Sequence, residues 1–544
     1  MTADGEPHDR EAAAMGFEVL KGTLRDGVGA RLGRLAIAGR APIDTPNFIG
    51  VTSRGTLPHL TPDNITRHLQ TKGAYMALED FIEKPQHHPK RIPPVYQTPT
   101  APAGAPSPAG HVSQPTPRLH AFTAMPRSVT TVLAARRLPA VPAPSGNTNK
   151  SISVFTSTGF QAVTTQDYLS AVTALSPDIA IPLADLTHST DTPSSKRALR
   201  MAERTDEWIV EWFASLQTRG RTSTTTTATF APILPVPYPI QWEYISRLAE
   251  DYVPTGQLAG LAVHNPDVLR DVAEHYPSLL PLPRLSLSTP PTPHHILRQI
   301  SRGGIDLFTI PFINALSDAG LALSFTFPPP PLTSETQPET QTQTQTQTQT
   351  TTTTTTKTTR LPLAIDLSDP VHASSLAPLT SLSTCPCYAC TAHHRAYVHH
   401  LLHAREMLGW TLLQIHNHAV VASFFQGVRD TLLHGPSESS TESGSHNNSN
   451  FNSNDGNGGN GRDEIERQET FDQAMARFTQ TYEVDFPEGA AERPRARGYQ
   501  FKSVGGGEGK RNKPAWGRFD GADEGGEGGL DGNGGRDKEG GESG

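Results

Sequence analysis

The chain has 544 residues, of which 35% are hydrophobic, and its 46 basic and 54 acidic residues give a net charge of −8. The length would allow about three or four average domains, but the low apolar content predicts that a good part of the chain lies outside any core. The charge balance does not indicate a nucleic-acid binder, although it is compatible with a local basic patch. No stretch approaches the ~20 apolar residues of a membrane span, and the amino-terminal residues lack a signal-peptide core.

Several segments are predicted to be unstructured, because they contain too few apolar residues to offset the entropy of ordering. They are the amino terminus (1–15), a Pro-rich insertion (85–118), a Gln/Thr tract (328–360), a Ser/Asn/Gly insertion (435–466) and a Gly-rich charged tail (504–544). A helical segment is expected at 467–503, between the last two.

Between these segments the pattern is regular. Short strands are predicted near the start, in FEVLKG (17–22), RLGRLAI (31–37) and TPNFIGV (45–51). From residue 178 onward, strand-like and helix-like pieces alternate: strands at 178–185, 228–236, 258–263, 283–289, 305–311 and 361–369, and helices at 194–216, 241–252, 265–276 and 292–303.

Repeated strand–helix units with apolar strands predict a parallel sheet. Their number favours a (β/α)₈ barrel over an open doubly wound sheet. No Gly-rich loop follows any of these strands, so the sequence gives no support for a dinucleotide or ATP site.

All three cysteines of the chain, Cys385, Cys387 and Cys390, form one C-x-C-x-x-C motif. Thiolates this close together can share one tetrahedral Zn²⁺, and sulfur ligands favour zinc over calcium or magnesium. Because one cluster does not make a disulfide framework, we expect a reducing intracellular compartment.

A fourth metal ligand is needed, and many histidines follow in a stretch (394–418) that is predicted to be one helix. His393 and His394 lie too close to the last cysteine to turn back easily. His399 and His403 lie one helical turn apart and could themselves bind metal, although a packed or solvated helix face is the simpler interpretation. The full set of candidates is His393, His394, His399, His400, His403, His416 and His418.

One of these histidines completes a known signature. His416 follows Cys390 by 26 positions and is followed by Asn417. This spacing resembles the zinc signature of the tRNA-guanine transglycosylases, in which an H-N pair opens a helix. The resemblance therefore selects His416 as the fourth ligand of one structural Zn²⁺, together with Cys385, Cys387 and Cys390.

Other segments resemble the same family in the same order: 30–63, 175–187, 258–263 and 288–308. The resemblance covers about residues 16–78, 119–327 and 361–434. It implies a (β/α)₈ barrel over 16–434 with a zinc subdomain inserted at about 380–434, which agrees with the barrel predicted from the alternation.

The resemblance also implies a chemistry, in which an aspartate attacks the ribose of a tRNA nucleotide and displaces guanine. The family's D-x-F-D segment corresponds to Asp306-Leu307-Phe308-Thr309, so Thr309 takes the nucleophile's position. A threonine hydroxyl without a neighbouring base is a poor nucleophile. Asp306 remains, and we expect its side chain on the same face of the strand, one pleat repeat (~7 Å) away. A strand-end cap or a salt bridge is the favoured role for Asp306.

Two further site segments of the family are altered. The D-S-G-G-F-Q motif has its nearest match in TSTGFQ (156–161), where Thr156 replaces the aspartate. The F-D-E-C-T segment appears as LADLT (183–187), with Ala184 in place of its first carboxylate and with Asp185 predicted to have a structural role. The G-G-L-A-V-G segment ends here in His264.

Loss of site groups with retention of the scaffold resembles the non-catalytic members of this family. The chain is therefore predicted to have no catalytic residues of its own and to pair with a catalytic subunit, binding tRNA through that heterodimer during queuosine formation. The resemblance implies that the chain pairs through the zinc region and the adjoining helices. The alternatives are an active enzyme that uses a displaced carboxylate such as Asp306, and a zinc-barrel scaffold outside tRNA modification. The resemblance implies a cytoplasmic location and allows peripheral association with the mitochondrial outer membrane.

Overall fold

The structure is a computed structural model. The structure describes residues 15–22, 28–83, 92–99, 116–143, 146–156, 158–188, 192–218, 227–330, 360–380, 385–434 and 470–489. The expected unstructured segments at 435–466 and 504–544, and most of those at 1–15, 85–118 and 328–360, lie outside the described residues.

The strands, in chain order, are β1 (Met15–Gly22), β2 (Arg31–Ile37), β3 (Ile43–Thr45), β4 (Asn47–Val51), β5 (Gly73–Ala77), β6 (Thr130–Ala134), β7 (Ser151–Thr156), β8 (Gly159–Thr164), β9 (Ile179–Ala180), β10 (Ala228–Ile233), β11 (Leu258–Val263), β12 (Arg284–Ser286), β13 (Leu307–Thr309), β14 (Leu321–Leu323) and β15 (Ala364–Asp366).

The α-helices are α1 (Pro62–His68), α2 (Pro94–Gln97), α3 (Arg118–Thr123), α4 (Thr165–Leu175), α5 (Ser195–Thr218), α6 (Tyr238–Arg247), α7 (Leu269–His275), α8 (Pro293–Gly303), α9 (Phe312–Asp318), α10 (Tyr388–Ala392), α11 (Arg395–His403), α12 (Met407–His434) and α13 (Phe471–Thr481). None of the helices in the described part of the chain is long and apolar enough to cross a membrane.

Eight parallel strands form a closed barrel in the order β10-β11-β12-β13-β4-β5-β6-β9. The predicted (β/α)₈ barrel is therefore confirmed. The barrel closes where β13 pairs with β4, with Phe308 opposite Phe48 and Thr309 opposite Ile49. Strands β1, β2 and β3 form a separate antiparallel sheet. From this sheet, Leu35 and Ile43 join the apolar side chains of the barrel interior.

The strand predicted at 361–369 does not belong to the barrel. Its ordered part, β15, pairs antiparallel with β14, so that Leu323 lies opposite Ala364. The predicted strand at 178–185 is also shorter than expected, because only Ile179 and Ala180 pair with β6 and β10. Apolar strands inside and outside the barrel have similar compositions, so the sequence pattern does not show which strand each one pairs with.

Helix starts follow their local sequence. Asn265 caps a 3₁₀ turn (Pro266–Val268) that leads into α7, and its side chain accepts a hydrogen bond from the Asp267 amide at 3.1 Å. Thr292 precedes α8, which opens with a proline. Proline is favoured at this position because the first N–H groups of a helix have no partner within the helix. Within the expected Pro-rich insertion, residues 92–99 are ordered, because Val95 of α2 is fully buried.

The helix predicted across 394–418 is broken. Helix α11 ends at His403 and α12 begins at Met407, and between them Arg405 has a left-handed φ of 58°. The H-N pair implied to open a helix lies instead inside α12. Helix α12 packs against β14, α9 and the barrel strand β4. It therefore joins the cysteine-rich region to the barrel wall.

Helix α12 approaches a neighbouring backbone most closely at Gly427. A Cβ atom built there would lie 1.6 Å from the carbonyl oxygen of Phe327, a backbone atom that cannot rotate away. Replacing a helical glycine by alanine normally stabilises a helix by roughly 1 kcal/mol. Here the clash is the larger effect.

We predict that Gly427→Ala destabilises the protein by about 3 kcal/mol, near the upper end of what overpacking usually costs. Denaturant unfolding measures the change. Gly16→Ala is the matched control, because a Cβ there meets nothing within 4 Å. Equal stability of the two variants would mean that α12 does not contact the Phe327 backbone as described.

Candidate metal centre and the carboxyl ends of the barrel strands

The four residues predicted as metal ligands come together in the structure. The Nδ1 atom of His416 lies 3.9 Å from Sγ of Cys385, 3.6 Å from Sγ of Cys387 and 3.3 Å from Sγ of Cys390. All four ligand atoms lie within 4.8 Å of one another. Two ligands on one tetrahedral zinc ion would be separated by about 3.6 Å for sulfur and nitrogen, given bonds near 2.3 and 2.0 Å. The group is therefore of the right size for one metal ion.

The short helix α10 places two of the thiols. Cys387 is the residue that caps this helix, and its Sγ accepts a hydrogen bond from the amide of Cys390 at 3.4 Å. Because one turn of helix separates these residues, their sulfur atoms face the same side. Cys387 is buried, whereas Cys385 and Cys390 are partly exposed.

The imidazole of His416 is held from the side opposite the thiols. Its Nε2 donates to the carbonyl of Leu323 at 2.9 Å, which leaves the lone pair of Nδ1 directed at the cysteines. Asn417, the next residue, accepts from the Leu323 amide at 2.8 Å and donates to Leu321 and Ser317. The H-N pair thus fixes the metal-binding region to β14. The role of Asn417 was not predicted, because the partners lie about 100 residues away.

The other histidine candidates stand apart from this group. His399 contacts the Leu367 carbonyl through Nδ1 at 3.0 Å, and its ring lies 4.9 Å from that of His403. His418 contacts the Gln414 carbonyl within its own helix. Within the described residues, the Cys₃His group is the one cluster of histidine, cysteine and acidic residues that is compact enough to hold an ion.

Proton sharing within the Cys₃His group shifts the pKa of its members in different directions. Hydrogen bonds from Cys385 and Cys390, with burial, raise the pKa of the Cys387 thiol. Hydrogen bonds from Cys385 and Cys387 lower the pKa of Cys390. Burial opposes a charged imidazole, but hydrogen bonds with Cys385 and Cys390 raise the pKa of His416 to about 9. Such a set of coupled thiols and imidazole readily exchanges its protons for a cation.

Thr309 lies at the carboxyl end of β13, where (β/α)₈ enzymes place their catalytic groups. Leu307, two residues earlier, packs inside the barrel, so the alternation of a strand directs Thr309 to the interior as well. The Thr309 hydroxyl is buried and donates to the Ser286 carbonyl at 2.9 Å.

Asp306 is not on the face that we expected. It precedes Thr309 by three positions, and an odd spacing along a strand directs side chains to opposite faces. Asp306 lies at the amino end of β13, fully buried. It accepts from Nε of Arg31 at 2.9 Å and from the Arg284 amide at 2.7 Å. The favoured salt-bridge role therefore agrees with the structure, and this carboxylate lies away from the carboxyl ends of the strands.

Asp185 is also engaged structurally. It is fully buried, and it accepts hydrogen bonds from Arg197 at 2.7 Å, Arg204 at 3.0 Å and Asn147 at 2.8 Å. The neighbouring Ala184 packs against an apolar cluster that includes Leu234 and Val236 of the β10–α6 connection. Where the family's first carboxylate would stand, the chain has an apolar contact.

The described residues of TSTGFQ (156–161) lie where β7 ends and β8 begins, and these two strands pair as an antiparallel hairpin. Thr156 is buried, and its hydroxyl donates to the Gly159 carbonyl at 2.8 Å, while Gln161 donates to the Thr156 oxygen at 3.2 Å. The hairpin is attached to the barrel through Glu79, which accepts from the Phe155 amide at 2.8 Å. No carboxylate among the described residues takes the place of the motif's aspartate in this turn.

The scaffold and the Cys₃His group match a family of known proteins. Residues 26–448 match the family model described as queuine tRNA-ribosyltransferase. The chain belongs to the queuine tRNA-ribosyltransferase family. Its resemblance to the tRNA-guanine transglycosylases is thereby confirmed.

Within the queuine tRNA-ribosyltransferase family, the chain is similar to proteins named queuine tRNA-ribosyltransferase accessory subunit 2. The protein of Schizosaccharomyces pombe is 29% identical over 90% of this chain and 89% of its own length. The protein of Gallus gallus is 26% identical over 74% of this chain and 92% of its own length. That of Anopheles gambiae is 24% identical over 76% and 87%.

We predict that Cys387→Ala lowers the bound metal from about one ion per chain to well under one and lowers the melting temperature, because metal binding in such sites contributes folding free energy. Elemental analysis and thermal unfolding of the purified chain measure both effects. His403→Ala is the control, since this exposed histidine lies outside the Cys₃His group. Retention of a full metal equivalent by the cysteine variant would contradict the assignment.

We predict that Asp306→Asn destabilises the protein by about 3 kcal/mol, because it leaves Arg31 without its buried counter-charge and weakens the acceptor of the Arg284 amide. Asp44→Asn, which breaks an exposed pair with Arg34, should cost little. Denaturant midpoints compare the two variants. A stable Asp306→Asn protein would show that the carboxylate is not a structural anchor.

Proposed function

We propose that this chain is the non-catalytic subunit of a heterodimeric queuine tRNA-ribosyltransferase. In this role it would support tRNA binding while a catalytic subunit exchanges guanine for queuine at the wobble position. The observation that supports the proposal is Thr309 at the carboxyl end of β13, where the family resemblance implies an aspartate nucleophile. The names of the similar proteins, accessory subunit 2, favour the same role.

A nucleophile for glycosyl transfer must attack the anomeric carbon and then leave it, which suits a carboxylate. The Thr309 hydroxyl has a far higher pKa than a carboxylic acid, and it donates its proton to the Ser286 carbonyl, which is not a base that could remove it. Thr156 and Ala184 lack a carboxylate at the two other altered segments. We therefore infer that the chain carries no catalytic residue of its own.

An active enzyme that uses Asp306 is the less favoured alternative. Its carboxylate is fully buried at the amino end of β13 and is bound by Arg31 and by the Arg284 amide. To act as a nucleophile, it would have to break a buried ion pair and reach the other end of the barrel.

A scaffold outside tRNA modification is the third candidate, and loss of the gene without loss of queuosine in tRNA would favour it.

We infer that the Cys₃His group holds one structural Zn²⁺. Three thiolates and one imidazole are a donor set typical of zinc, and four protein ligands leave no open position for water or substrate. The ion would fix α10 and α12 in place and would take no part in the chemistry. The bond between His416 and the Leu323 carbonyl supports this role, since it orients the imidazole.

We infer that the catalytic subunit docks on the surface that surrounds the Cys₃His group, as relatives dimerise through this region. Large apolar side chains are exposed there: Tyr388 of α10 is 43% exposed, and Met407 and Leu408 of α12 are 48% and 43% exposed. Exposed apolar side chains near one another are typical of protein interfaces. The cytoplasmic location and an association with the mitochondrial outer membrane remain predictions.

A reconstitution experiment tests the proposed function. We predict that the purified chain alone releases no labelled guanine from tRNA, and that the pair formed with a catalytic subunit exchanges guanine for queuine. Asp306→Asn, in a variant shown to be folded, should leave exchange by the pair unchanged. Base exchange or a covalent tRNA adduct formed by this chain alone, and lost in Asp306→Asn, would instead support the active-enzyme alternative.

A further inference from the structure

Arg136 is a cation at the carboxyl end of the barrel that no carboxylate neutralises directly. It follows β6 by two residues, and its backbone carbonyl accepts a hydrogen bond from the Tyr75 hydroxyl at 2.6 Å. Its Nη2 donates to Asn147 Oδ1 at 3.0 Å. Among the residues that the structure describes, no Asp or Glu forms a salt bridge with its guanidinium, which is partly buried. Burial lowers the pKa of Arg136, and the more distant charges of Glu79 and Asp185 oppose this.

The carboxylates near Arg136 are committed to other arginines. Glu79 accepts from the side chain of Arg137 at 2.8 Å and from its amide at 2.7 Å. Asp80 lies 3.1 Å from the same guanidinium. As described above, Asp185 is shared by two arginines of α5. The positive charge of Arg136 is therefore left for a ligand.

Two imidazoles lie on the same side of the barrel. His188 follows β9 and His264 follows β11. Burial and the charge of Arg136 lower the pKa of His188 to about 3, and burial lowers the pKa of His264 to about 4. Both rings are therefore neutral near neutral pH, and each has an N–H to donate. The Nε2 atom of His188 is buried and has no hydrogen-bond partner among the described residues.

The cationic character continues along the start of α5. Arg197 and Arg204 hold Asp185 from this helix, and Lys196 and Arg200 beside them are exposed. An anion with several oxygens could accept from the guanidinium and from an imidazole N–H at once. A neutral purine would instead lack the carboxylate that Ala184 replaces.

We propose that the carboxyl end of this barrel binds a phosphate group of an RNA backbone, with Arg136 as its central contact and with His188 and His264 as hydrogen-bond donors. RNA is favoured over a free phosphate because the exposed cations of α5 extend beyond the volume of a single anion and would meet neighbouring phosphates. The choice of RNA as the source rests on the proposed function, whereas the phosphate contact itself does not.

The full-length chain, without its catalytic partner, tests the phosphate contact. A fluorescent single-stranded RNA of about ten nucleotides is titrated at low salt and followed by anisotropy. We expect Arg136→Met to weaken binding about tenfold, the loss typical of one charge-assisted contact, and Arg136→Lys to retain part of the affinity. The matched control is Arg34→Met, because Arg34 is an exposed arginine of the separate β1–β3 sheet, paired with Asp44. Thermal unfolding verifies that each variant is folded.

Competition identifies the ligand. Inorganic phosphate should displace the RNA in the wild-type chain, and guanine should not. Displacement by guanine, or an Arg136→Met affinity equal to that of Arg34→Met, would overturn the proposal. Phosphate binding that depends on Arg136, without measurable RNA binding, would overturn RNA as the source.

The two proposals fail in different ways. A reconstituted pair that exchanges base, while Arg136→Met leaves RNA affinity unchanged, would contradict the phosphate site alone. A pair that does not exchange base would contradict the proposed function and leave the oligonucleotide result standing.

Discussion

The hydrogen bond from Nε2 of His416 to the Leu323 carbonyl is the contact on which the metal centre depends. An imidazole offers its lone pair from one nitrogen only when the other carries the proton. The carbonyl of β14 sets this choice, so Nδ1 faces the three thiols. Asn417 repeats the attachment by pairing with the amide of the same Leu323. Two adjacent residues of one helix therefore fix both the orientation of a ligand and the position of the strand.

Helix α12 carries this constraint to the barrel. Phe425, nine residues beyond His416, packs against Phe308 of β13 and Phe48 of β4, with ring centroids 5.6 and 5.8 Å apart. These are the two strands whose pairing closes the barrel. The free energy of metal binding can thus stabilise the barrel wall as well as the small helices around the cysteines. Helix α12 therefore connects the Cys₃His group to the two strands that close the barrel.

The alternation of strands and helices predicted the barrel, the spacing of the cysteines predicted three ligands, and the family resemblance selected His416 as the fourth. Alternating strands and helices are visible without knowing any contact, and three cysteines within six positions leave few arrangements. The break at Arg405 was not predicted, since it depends on a turn that packing imposes on a helical sequence. The partner of Asp306 was not predicted either, because Arg31 lies 275 residues away. The side of β13 on which Asp306 lies could have been predicted, because three positions separate it from Thr309. The expectation that both side chains lie on one face was wrong.

At each position where the resemblance implies a carboxylate, the residue present makes contacts that a carboxylate would disturb. The Thr309 hydroxyl donates to the Ser286 carbonyl, so a carboxylate in its place would face that oxygen with no proton to share. The methyl group of Ala184 contacts an apolar cluster in which a charge would be costly. Asp185, one residue later, is bound by Arg197 and Arg204. A new carboxylate beside it would compete for these two arginines. Each altered segment has contacts of its own, and among the described residues no Asp or Glu forms a salt bridge with Arg136. The carboxyl end of the barrel therefore carries an arginine without an acidic partner near segments in which the resemblance implies carboxylates, and this positive charge fits the proposed phosphate contact.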